Sequence, residues 1–185
     1  RLQGLLARHG ALDGLIGTLR AALAIGEDDT EETLLAAAVA PGAFDGAGLA
    51  MACAALDQGS KPDQKRATSI RAWLADGADR VALFHPVYKP LFLTAKEEPC
   101  DVKNLITKAA QATDGGALDT LLAEQARIAA VVDRLKAVRV AEATRTLLTI
   151  GTALLETYDG LKRDRALLDY DDLILTAKRL LAGVG

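Results

Sequence analysis

A chain of 185 residues that is 50% hydrophobic and 25% charged can bury one ordinary core, which excludes a disordered tail or a low-complexity linker. Its net charge of -3 is unevenly spread: residues 1–60 carry 3 Lys/Arg against 8 Asp/Glu, residues 61–185 carry 19 against 17, so a polybasic nucleic-acid arm is excluded and any polyanion must meet local patches. With aromatics at 4%, few β-branched residues and abundant Leu and Ala, the composition predicts an all-α fold.

In chain order, residues 2–25 place Leu2, Leu5, Leu6, Leu12, Ile16, Leu19 and Leu23 near one face of a helix, which Gly14 and Gly17 weaken. The acidic GEDDTEE run then predicts a helix start, with Asp29 as the cap, Glu32 answering it at capping-box spacing, and Leu34, Leu35, Ala38 and Val39 turned inward. Pro41-Gly42 ends that helix. Asp45 is expected to cap the next, which buries Leu49, Cys53 and Leu56 and stops at Gly59. Pro62 suits the first turn of a helix holding Ala67, Ile70, Trp73 and Leu74, whose other side carries Lys65, Arg66 and, nearer the edge, Arg71. Trp73 keeps register with Ile70 and Leu74 and so reads as core.

His85-Pro86 and Lys89-Pro90 interrupt the helical period, so the segment near 85–95 reads as extended or loop-like, with a strand as the alternative. A short helix is expected from about Val102 to Ala112, followed by a loop at Asp114-Gly115-Gly116. From Leu118 to Tyr158 apolar residues recur at helical spacing, through Leu121, Leu122, Ile128, Val132, Leu135, Val140, Leu147, Leu148, Leu154 and Leu155. The stripe drifts near residue 137, so this spine is one curved helix or two consecutive helices. The expected fold is a single irregular helical domain over residues 1–185, built on that spine.

Chemistry-bearing clusters are few. Cys53 and Cys100 stand apart from each other and from any His at ligand spacing, which argues against zinc and for small packed residues in a reducing, cytoplasmic setting. His9 and His85 read as structural or exposed rather than as ligands. No secretory signal and no membrane-length apolar run is present in the printed sequence, and no membrane partner is expected. The carboxylates Asp169, Asp171 and Asp172 could belong to a metal site, an acid/base pair or a helix start. The helix start is favoured: Leu173, Ile174, Ala177, Leu180 and Leu181 share one helical face, the acids fall in its first turn, and Lys178 and Arg179 fall in its last. An EF-hand fails for want of Gly at the sixth position and Glu at the twelfth. No catalytic residue and no metal ligand is assigned.

Residues 158–181, YDGLKRDRALLDYDDLILTAKRLL, resemble the segment ending in LDFDDLL that UvrD-like superfamily 1 DNA helicases carry shortly before their Walker B motif; the matching residues are Leu168, Asp169, Tyr170, Asp171, Asp172, Leu173 and Ile174. GSKPDQKRATSIRAWLA, FLTAKEEPCDVKNLITKA and the long periodic segment are similar, in that order, to AddA-type helicase–nucleases of double-strand break repair in their alphaproteobacterial form, over roughly residues 44–182. A helicase motor needs a GxxxxGK[ST] loop to cradle phosphates and an acid pair to hold magnesium, and neither occurs here. The resemblance therefore implies the helical insertion called domain 1B, excised from its parent, with 165–185 as the segment returning to the motor. A start in mid-helix without Met fits the same expectation.

On that reading the fragment is not an enzyme and holds no cofactor, while the parent is an ATP-dependent, ATP- and magnesium-binding helicase, with or without a nuclease domain. Its partners are DNA, bound only weakly through this domain alone, the rest of the helicase chain and a nuclease subunit of the AddB kind. Lys61, Lys65 and Arg66 on one helix start and Lys103 and Lys108 on another are the expected duplex-DNA contacts. The alternative is a helical docking module without direct DNA contact.

Overall fold

The computed structural model describes residues 12–75, 77, 79–168 and 170–183, excepting the side chains of 171 and 175. Among them the chain is all-α: α1 (Leu12–Ala22), α2 (Glu31–Val39), α3 (Gly46–Asp57), α4 (Lys61–Ala75), a helical run of α5 (Arg80–Leu83), a π-turn (Phe84–Tyr88) and a 3-10 turn (Lys89–Leu91), two single-turn helices α6 (Val102–Leu105) and α7 (Lys108–Gln111), the spine α8 (Ala117–Asp164), and α9 (Tyr170–Ala182). The spine is one uninterrupted helix of 48 residues. The chain divides into two compact units, one of residues 18–141 and one of residues 1–17 with 142–185. The early leucines and His9 expected on the first helix lie outside the described residues.

Local chemistry explains the boundaries. Helix α2 starts one residue later than its acidic run suggests. Thr30 is the N-cap, its Oγ1 accepting from the Thr33 N–H at 3.1 Å while Thr33 Oγ1 accepts from the Thr30 N–H at 2.9 Å. Asp29 is committed elsewhere, accepting from the Gly26 N–H at 2.8 Å and from Arg134 at 3.1 Å, so it cannot close the expected box with Glu32. Asp45 does cap α3, accepting from the Gly48 N–H at 2.8 Å. Gly59 before α4 is required by packing, because a Cβ there would stand 2.3 Å from Asp63 Oδ2.

Two segments depart from expectation. Residues 84–91 stay helical despite Pro86 and Pro90, because Phe84, Tyr88 and Phe92 recur four apart and all three are buried; widening one turn to π geometry accommodates the prolines, and strand character is confined to an isolated Leu93–Pro99 bridge. The helix expected over 102–112 is split in two. Thr107 donates its N–H (3.3 Å) and hydroxyl (2.6 Å) to Asp63 on α4, which holds Ile106 and Thr107 extended between α6 and α7.

The core of the 18–141 unit is aromatic at its centre. Trp73 stacks on Tyr88 with ring centroids 3.6 Å apart, Phe44 leans on Trp73 at 4.7 Å, and Tyr88 meets Phe92 edge-on at 5.2 Å. Burying full aromatic side chains provides a large apolar contribution per residue, and the Trp73, Tyr88 and Phe92 rings sit in one core cluster with Leu49, Leu56, Ile70, Leu121 and Ile128. Around Tyr88 its polar edge is paired: the Tyr88 hydroxyl donates to Glu124 at 2.7 Å, Arg127 grips the same carboxylate through two nitrogens at 2.6 and 2.7 Å, and Gln125 donates to the Phe92 and Cys100 carbonyls, while the Trp73 indole N–H is buried without a hydrogen-bond acceptor. Burial, reinforced by the Glu124 charge, pushes the Tyr88 phenol far above its ordinary range. These bonds fix the first half of the spine. In the other unit, Arg145 pairs with Asp13 of α1 at 3.5 Å, and Lys162 on α8 reaches Asp172 on α9 at 2.8 Å.

Candidate nucleic-acid interface

Helix α4 buries the stripe Asp63, Ala67, Ile70 and Trp73, which turns Lys61 and Lys65 to the opposite, exposed side. Arg66 leaves the expected patch. It lies three residues after Asp63 and four before Ile70, on the inward edge, and its guanidinium donates to the carbonyls of Leu91 and Asn104. Burial draws its pKa below the ordinary guanidinium value. A cation already bound to two carbonyls is a fold element and a poor phosphate ligand.

Asp63 is the second clamp. Buried at the start of α4, it accepts from the Ser60 N–H (2.8 Å), the Ser60 hydroxyl (2.9 Å) and both donors of Thr107. Burial alone would raise its carboxyl, but these hydrogen bonds prevail and hold it below the usual carboxylate value. Together Asp63 and Arg66 fasten the segment 101–108 to α4. Lys103 and Lys108, both exposed, are thereby carried on the segment held against the inward edge of α4, whereas Lys61 and Lys65 face out from its other side. Lys103 also lies 3.6 Å from Asp101, an exposed pair of small energetic weight.

The family-like segment sits at the start of α9. Leu168, Tyr170, Leu173 and Ile174 are exposed, Asp172 pairs with Lys162, and Asp169 and the Asp171 side chain lie outside the described residues. None of the described side chains of α9 is buried. Among the described residues no three His, Cys, Asp or Glu side chains gather as metal ligands. Cys53 is buried and Cys100 half-buried, both unpaired thiols whose pKa burial raises. His85 is half-buried, its Nε2 4.0 Å from Glu31, and burial lowers its pKa. A depression of about 430 Å³ lined by Phe44, Asp45, Thr120, Glu124 and Arg127 offers little open chemistry, since Arg127 and Glu124 are bound to each other. No helix among the described residues is long and apolar enough to cross a membrane. No family model, no curated protein and no solved structure matches the chain.

Proposed function

We propose that this chain is an accessory helical module of a larger DNA-processing protein, of the 1B kind found in superfamily 1 helicases, and that it engages duplex DNA through Lys61, Lys65, Lys103 and Lys108. The observation that carries the contact surface is the double clamp: Asp63 to Thr107 and Arg66 to Asn104 hold two exposed lysine pairs on neighbouring segments. Phosphates are bound by displacing their counterions, so in a chain of net charge -3 contact falls to local groups of lysines such as these. ATP binding and hydrolysis belong, on this proposal, to the parent motor. The test is binding of a short duplex at low salt, compared with a chain carrying Lys61→Ala, Lys65→Ala, Lys103→Ala and Lys108→Ala. Loss of binding in the variant supports the surface; equal binding refutes it.

A second reading, docking onto the rest of a parent chain or onto a nuclease subunit, is favoured by α9. This amphipathic helix exposes Leu173, Ile174, Leu180 and Leu181, and a helix of 13 residues has little stability of its own without a packed face. Leu173→Glu with Leu180→Glu should abolish assembly with such a partner while leaving duplex binding by the lysines intact.

A further inference from the structure

The last part of α8 has a surface that neither the lysines nor α9 accounts for. From Thr146 to Leu155 the sequence TLLTIGTALL contains no charge, yet Leu147 is 70% exposed, Ile150 62% and Leu154 68%, and Leu161 beyond them is 50% exposed. A surface helix ordinarily sets a charged face against its apolar stripe; one that is uncharged all round is a helix that becomes buried. Leu147, Leu154 and Leu161 stand seven residues apart, with Ile150 three after the first, which are the a and d positions of a heptad. The threonines do not interrupt this face. The hydroxyls of Thr146, Thr149, Thr152 and Thr157 donate to the carbonyls of Glu142, Arg145, Leu148 and Ala153 at 3.0, 2.9, 2.8 and 2.8 Å, so their polarity is satisfied inside the helix.

We propose that this stripe is the contact between two copies of the chain, paired as a short left-handed coiled coil over residues 147–161. The seven-residue spacing fits a partner helix with the same period, since the seam stays in contact only if both helices wind alike. The positions flanking the seam, which usually select partners by charge, are Thr144, Gly151 and Tyr158 on one side and Thr146, Ala153 and Gly160 on the other. All are uncharged, so a partner bearing charges there would bury them unpaired, whereas a second copy matches them by construction. Glycine and alanine at those positions also let two backbones approach closely.

The experiment is sedimentation equilibrium of the 185-residue chain over concentrations from about 1 to 200 μM, without DNA. The expected result is a mass rising from that of the 19.4 kDa monomer toward twice that value. Leu147→Glu with Leu154→Glu should give a monomer throughout, with an unchanged circular dichroism spectrum because both residues are exposed, and Leu154→Lys should weaken association at least ~10-fold. Met51→Glu, an exposed apolar residue of the other unit, should leave association unchanged. A wild type that stays monomeric over the range would overturn the proposal, as would association that survives in the double variant or a limiting mass above the dimer. Because the readout is mass in the absence of DNA, its failure is distinct from failure of the lysine surface.

Discussion

Arg66 is a cation whose charge is used up by the fold. Replacing it with Ala should leave the Leu91 and Asn104 carbonyls without their donors and cost about 1–3 kcal/mol in urea unfolding, and Lys should recover only part of this because an ammonium cannot span both carbonyls with a planar fork. The position was readable in the sequence: Arg66 falls on the same helical face as Asp63 and Ile70, while Lys61 and Lys65 fall on the other. What was not readable is the acceptor pair, since Leu91 and Asn104 are distant in sequence and their carbonyls carry no side-chain signature. Asp63 makes a pH-dependent contribution of defined sign. Its folded-state pKa is depressed, so its stabilisation is present above the unfolded value of about 3.9 and is lost as pH falls through the lower folded value. Asp63→Asn should therefore be less stable than wild type by about 1–2 kcal/mol at neutral pH, with the gap closing below about pH 4. A gap that stays constant in thermal melts from pH 7 to pH 3 would contradict the role.

Among the elements, helix starts with a local cap were the most legible, because the cap and its partner lie three residues apart. Asp45 shows this, and α2 shows its limit. The acidic run before it offered several oxygens, and Asp29 is taken up by the Gly26 N–H and by Arg134 on α8, which leaves Thr30 as the cap. Thr30→Ala should cost about 0.5–2 kcal/mol, and Asp29→Ala less, as measured by denaturant midpoint. The spine was legible as a periodic pattern, but its continuity was not, since the drift of the stripe near residue 137 fits a curved helix and a broken one equally well. Its anchoring depends on Glu124, Arg127 and Tyr88. Glu124→Ala strands a buried hydroxyl and guanidinium and should cost about 3–5 kcal/mol, whereas Tyr88→Phe, which removes one donor and leaves the ion pair, should cost about 1 kcal/mol. At 84–92 the aromatic spacing of four was the competing signal to the prolines, and burial of three rings decided it. The break at Thr107 had no local signal at all.

For the whole molecule, the all-α class followed from composition, and the division into two units did not: the stripe of α8 drifts near residue 137, close to the change at 141, but the helix itself runs on unbroken. On the reading as an accessory module, with no GxxxxGK[ST] motif in the sequence, the expected outcome is no ATP hydrolysis with or without DNA; turnover abolished by a substitution within residues 12–183 would contradict that reading. The lysine pairs were legible as residues, but that their two segments are fastened together rests on contacts between α4 and residues 101–108 that only the fold supplies. The most direct test of the proposal that both pairs contact one duplex is the salt dependence of duplex binding between about 10 and 100 mM. If both pairs act on one duplex, the slope of log K against log salt should be up to about -3.6 for wild type, and should shrink by up to about 1.8 in Lys61→Ala/Lys65→Ala and equally in Lys103→Ala/Lys108→Ala. A slope left unchanged by either double variant would show that the two pairs do not form one surface.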